Sequence, residues 1–168
     1  SGLPALIMDY GLYTSGPNAG LPARFICTGS KISSGFVVTA AHCVSPRVDT
    51  ERASPLTTAY FYGGGGDIRV PFNALSTPVV ASAIAIHPGY TGQVIDDRDI
   101  ELLRLGTPAP SWAQSNAMLL TASSLRGEEF NVFGYGNRSI VGGGGPTGGA
   151  TGSTTGFLRQ GLNKYDYR

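Results

Sequence analysis

Charge is scarce in this chain. Only 14% of its 168 residues are Asp, Glu, Lys or Arg, against about 25% in an ordinary soluble domain. The 12 basic and 11 acidic side chains leave a formal net charge of +1. Without a basic field there is little to hold a phosphate backbone, which argues against a nucleic-acid partner. Lysine occurs only at Lys31 and Lys164. No run of about 18 uncharged apolar residues appears, so no segment reads as a membrane-spanning helix. The opening Ser1-Gly2-Leu3-Pro4-Ala5-Leu6-Ile7-Met8 lacks the basic leader and apolar stretch of an intact signal peptide. Cysteine, histidine and methionine number two each. Zinc needs more soft ligands, clustered, and His87 is far in sequence from His42, so neither a metal nor a cofactor is expected.

Hydrophobic residues make up 41% of the chain and aromatics 10%, enough for a packed core and against wholesale disorder. The 25 glycines and 11 prolines exclude a helical bundle and favour short strands joined by tight turns. Runs rich in β-branched and aromatic residues recur at 24–27, 35–39, 57–62, 78–86, 100–105 and 130–133, with the spacing of barrels and sandwiches. The window 111–126 has no Gly or Pro but only a loose helical period. It reads as a linker, with a short helix as the alternative. Gly63-Gly64-Gly65-Gly66 resembles a hairpin tip. No Lys-Ser/Thr pair or helix follows it, so a phosphate cradle is disfavoured. The stretch Gly142–Gly152 has the composition of a mobile loop, and Asn137-Arg138-Ser139 is a glycosylation acceptor by pattern.

Two cysteines in a strand-rich chain of low charge read best as one disulfide, Cys27–Cys43, in an oxidising compartment. Two buried free thiols are the alternative. A lone histidine is usually structural, and His42 would be read that way but for its neighbours. Thr39-Ala40-Ala41-His42-Cys43 resembles the Thr-Ala-Ala-His-Cys signature of the chymotrypsin-like serine peptidases. The upstream Cys27-x-Gly29-Ser30-x-Ile32 is similar to the same family at its cysteine spacing. Further matches follow in family order: Ile84-Ala85-Ile86-His87-Pro88-Gly89-Tyr90, then Asp99-Ile100-Glu101-Leu102-Leu103-Arg104-Leu105, then Val132-Phe133-Gly134-Tyr135-Gly136. Together they cover residues 25–136.

The resemblance implies an all-β, two-barrel chymotrypsin-like fold. The first antiparallel Greek-key barrel would be complete over 1–110, a linker would span 111–126, and 127–168 would begin the second barrel. It implies secreted (or periplasmic) peptide-bond hydrolysis through an acyl-enzyme. His42 would be general base and acid, and Asp99 would fix its tautomer. Asp96 and Asp97 compete for the aspartate role, and the Asp-Ile-x-Leu-Leu register chooses Asp99. The backbone amides of Ala41 and His42 would bind the buried aspartate. Asp96 falls where the family lines its S2 subsite, which would favour a basic P2 residue; a solvated loop aspartate is the alternative. His87, which is not catalytic in the family, is expected to be a surface or packing residue. Glu101 replaces the usual Ala and is expected to point outward, and Thr28 replaces a common Gly without consequence. Asp67 alone in the calcium-loop region is too little for a calcium cage.

The family's Gly-Asp-Ser-Gly-Gly nucleophile motif is not in this chain, nor are the oxyanion amides and the S1 wall that accompany it. An unclosed second barrel would leave an exposed edge and a bare apolar face. The expectation is therefore a cleaved two-chain enzyme. A C-terminal chain of the same precursor would carry the serine and be bound without a covalent tether, since both cysteines are committed. Ser1 would be a processed activation end, and Arg168 is a residue after which a trypsin-like enzyme cuts. The contrasting reading is a catalytically dead homologue used as a binding module, which would have had no need to keep both His42 and Asp99.

Overall fold

The computed structural model of the chain describes residues 2–44, 56–62, 76–92, 98–117, 127–136 and 158–164. Among them are nine strands: β1 (Ala5–Leu12), β2 (Pro22–Thr28), β3 (Ser30–Ser33), β4 (Phe36–Thr39), β5 (Leu56–Tyr62), β6 (Ser76–Ile86), β7 (Glu101–Leu105), β8 (Glu129–Gly134) and β9 (Arg159–Lys164). The one helical element among them is a single 3-10 turn, Ala41–Cys43. Seven strands form one antiparallel sheet in the order β2-β1-β5-β6-β7-β4-β3, and β8 pairs with β9 apart from it.

The seven-stranded sheet curls because β6 changes partner along its length. Residues 76–80 pair with β5, and residues 81–86 pair with β7 after a register shift at Ala81/Ala83. A strand that switches neighbours at an irregularity makes a corner. The same switch explains how Pro78 sits inside a strand: β7 does not reach it, so its missing N–H faces no partner. β2 and β3 lie at opposite ends of the sheet order, and no ladder joins them among the described residues. The first unit is thus a strongly curled half-barrel rather than the closed ring expected from the sequence.

Alternation places Leu6 and Met8 of β1, Val37 of β4, Phe61 of β5 and Leu103 and Leu105 of β7 on the inner face, all nearly inaccessible to solvent. Gly29, between β2 and β3, lies against this core. A Cβ there would overlap Val37 Cγ1 and come within 3.2 Å of Leu6 Cδ1. Val37 is buried and stiff at χ1, so it cannot swing aside. We expect Gly29→Ala to cost roughly 1–3 kcal/mol by overpacking. Urea unfolding would read this as a lowered midpoint, and an unchanged midpoint would contradict it.

A smaller cluster attaches the β8–β9 sheet. Tyr135, just past β8, is 1% exposed and packs with Tyr62 (ring centroids 6.2 Å apart). Its backbone N–H donates to Thr28 Oγ1 at 2.8 Å, and its hydroxyl donates to the Leu3 carbonyl at 3.3 Å. Thr28 is therefore more than a harmless replacement, because its hydroxyl receives the first turn after β8. Residues 111–113 make a turn and 114–117 continue without regular structure, so no helix forms over 111–117. Lys31, buried on β3, donates its ammonium to the Ala113 carbonyl, and Asn116 bonds Gly2 and Ser30. Residues 118–126 and the two glycine runs, 63–66 and 142–152, lie outside the described residues.

Candidate active site

The β4–β7 register builds the site. Thr39 at the end of β4 stands opposite Glu101 at the start of β7. In an antiparallel pair those two ends lie at the same edge. The chain leaving β4 enters the 3-10 turn and presents His42 three residues later. The chain approaching β7 carries Asp99 two residues before it. Two residues far apart in sequence therefore meet with no long loop to order.

Their contact engages both carboxylate oxygens. The His42 backbone N–H donates to Asp99 Oδ1 at 2.8 Å, and the His42 Nδ1 lies 2.6 Å from Asp99 Oδ2. A carboxylate only accepts, so Nδ1 carries the proton and Nε2 keeps its lone pair. The Asp99 side chain is 10% exposed and that of His42 33%: the carboxylate is sheltered and the imidazole reachable. Of the two backbone amides expected to hold the aspartate, that of His42 does so.

Cys27 and Cys43 form a disulfide, with Cα atoms 6.2 Å apart, and it ties the 3-10 turn to β2. The cysteine sulfurs and His42 would make a set of soft metal ligands, all within 4.8 Å of one another. Both sulfurs are spent in the disulfide, so no thiolate is available there. Beside the disulfide lies a shallow depression of about 180 Å³ lined by Met8, Tyr10, Phe25, Ile26 and His42. The Tyr10 and Phe25 rings meet edge to face at 5.7 Å. Reduction should release the 3-10 turn and lower stability by about 3 kcal/mol on the loop-entropy model. Denaturant titration with and without a phosphine reductant would measure this, and coincident curves would contradict it.

Other expectations fare differently. Asp96 and Asp97 lie outside the described residues. His87 is exposed, and its Nδ1 accepts the Gly89 N–H at 3.1 Å, closing a turn. Glu101 corrects the sequence reading. It is 1% exposed, on the inner face with Leu103 and Leu105, while Ile100 is the residue turned outward, 43% exposed. Among the described residues neither Glu101 carboxylate oxygen has a hydrogen-bond partner. Burial, with the Asp99 charge adding to it, pushes its carboxyl up to about 8.

Compared with known families, residues 11–149 match the model of the family described as Trypsin. The chain belongs to the trypsin family. It is 32% identical over 117 residues to Serine protease 1 of Canis lupus familiaris, covering 69% of this chain and 42% of that protein. It is 31% identical over 112 residues to Trypsin of Squalus acanthias, covering 66% of this chain and 43% of that one. The chain thus spans about two-fifths of the length of these curated relatives. A solved structure described as "Structure of GrC" superposes with a TM-score of 0.63 at 21% identity, covering 98% of this chain and 60% of its own. That likeness shows an all-β, chymotrypsin-like fold.

Proposed function

We propose that this trypsin-family chain supplies the base and its orienting carboxylate to an extracellular serine endopeptidase acting on polypeptides. The observation that carries the reading is the double grip of Asp99 on His42, through backbone N–H and ring Nδ1. It fixes the ring so that Nε2 is the atom left to take a proton. In that role Nε2 accepts the proton of a serine hydroxyl as its oxygen attacks the scissile carbonyl. Asp99 stabilises the imidazolium, and His42 then returns the proton to the leaving amine. The Cys27–Cys43 disulfide supports an oxidising, extracellular setting.

The serine, the oxyanion amides and the S1 pocket belong to polypeptide outside this sequence, on a C-terminal chain of the same precursor. The exposure of Val132, Phe133 and Leu162 on the β8–β9 sheet supports a further partner surface, because a two-stranded sheet alone is marginal in water. With both cysteines joined to each other, the two chains are held by strand pairing and apolar packing and separate in denaturant without reductant. Asp96 lines the S2 subsite in this reading and favours a basic P2 residue.

A fluorophosphonate probe applied to the protein with all that co-purifies tests the proposal. Label on a partner polypeptide, and none on residues 1–168, is the expected result. Label within this chain would overturn the assignment of roles. No label on any polypeptide would favour the binding-module reading, against which the intact His42–Asp99 geometry stands.

A further inference from the structure

Among the described residues Glu101 stands out as a carboxyl buried in the half-barrel with neither oxygen paired. A buried polar group without a partner demands a reason. Its surroundings among the described residues offer no counter-charge. From β4 it is faced by Thr39, whose hydroxyl donates instead to the Thr28 carbonyl at 3.0 Å. From β6 it is faced by Ile86. On its own strand Arg104 is exposed and stands opposite Phe36, at the far end of the β4 ladder. Lys31 of β3 spends its ammonium on Ala113. His87, just past β6, is exposed and capped by Gly89. The charge that acts on Glu101 is that of Asp99, of the same sign.

We propose that Glu101 is a positioning residue for the His42–Asp99 pair: while protonated it anchors the start of β7 and leaves Asp99, among the described residues, the single negative charge beneath the imidazole. The geometry is direct. Glu101 is the first residue of β7, and Asp99 hangs from it by one intervening residue. When Glu101 ionises, the new charge has no partner in the core and repels the carboxylate beside it. It gains solvation only by drawing the strand end outward. That movement takes Asp99 with it and loosens its contact with His42. The pair therefore has an alkaline limit set from beneath, by a residue that touches no substrate.

The inference takes His42–Asp99 as the working pair of the proposed peptidase, yet its test uses no peptide hydrolysis. On the isotopically labelled protein as purified, two signals are followed against pH: the Glu101 side-chain carboxyl carbon and the His42 Nδ1–H proton. The expected result is that the carboxyl carbon titrates near pH 8 and the Nδ1–H resonance shifts or is lost in step. In Glu101→Gln, a neutral mimic, the Nδ1–H resonance should stay constant across the same range. A purely structural role would leave that resonance unmoved in both proteins. Titration of Glu101 in the ordinary carboxylate range would overturn the proposal, as would an unchanged alkaline transition in the Gln variant. If Glu101→Gln fails to fold, Glu101→Ala serves with the same readout. An absence of fluorophosphonate label alongside the expected titration would refute the peptidase and leave the coupling standing.

Discussion

If the proposed peptidase reading holds, Asp99→Asn should leave the fold intact and lower turnover by about 10⁴-fold, the magnitude known for chymotrypsin-type triads, to which this pair is related. The reason lies in the two contacts Asp99 makes. Asparagine has nearly the same shape, and its carbonyl oxygen can still accept the His42 backbone N–H, now bonded at 2.8 Å. Its amide then faces Nδ1 as a donor. The ring must answer with a lone pair at Nδ1 and carry its proton on Nε2. The atom that should take the serine proton is then already protonated. A 10⁴-fold loss corresponds to about 5.5 kcal/mol of transition-state stabilisation, while the ground state loses only one charge-assisted hydrogen bond at the barrel edge. The measurement is kcat on a peptide amide substrate, with thermal melts of both proteins. A loss of less than about 10-fold would mean that Asp99 does not orient the ring.

Parts of this arrangement could be read from the amino acids alone, and the reason is local chemistry. β4, Phe-Val-Val-Thr, has no residue that prefers a helix, and β5, β6, β7 and β8 all fall on the β-branched or aromatic runs. β3 and β9 do not stand out in the sequence for a physical reason: Ser-Lys-Ile-Ser and Arg-Gln-Gly-Leu-Asn-Lys have little strand character of their own and take it from the neighbours they pair with. β1 is equally inconspicuous, since Ala5–Leu12 carries an Asp and a Gly in a weakly patterned stretch. At Gly11 (φ 82°) its ladder shifts register, and the Gly11 N–H bonds Asp9. At the site, His42 and Asp99 were legible because each sits in a contiguous motif. Their meeting rests on the β4–β7 register, which no motif states. Alternation that starts at Ile100 sends Glu101 outward, but Ile100 precedes the strand. β7 starts one residue later, and a one-residue shift exchanges inside for outside.

That burial carries a stability prediction of its own. In the unfolded chain Glu101 titrates near 4.5, and in the folded one at about 8. Below the lower value it is protonated in both states, so its contribution to stability is fully present. As pH rises toward the upper value, the unfolded chain has already released the proton while the fold still holds it. Stability then falls by about 1.4 kcal/mol per pH unit until the folded-state carboxyl ionises, beyond which the loss is complete. Across that window the loss is on the order of 5 kcal/mol, a large share of the stability of an ordinary domain. Glu101→Gln removes the titration and keeps the shape. The variant should match the parent near pH 4.5 and exceed it by several kcal/mol at pH 8. That is roughly a 10 °C rise in melting temperature for a chain of this size. Denaturant unfolding of both proteins at pH 5 and pH 8 decides the matter. Stability curves that run parallel through that range would mean that the Glu101 carboxylate is solvated or paired in solution, and the inward-facing reading of β7 would fall with it.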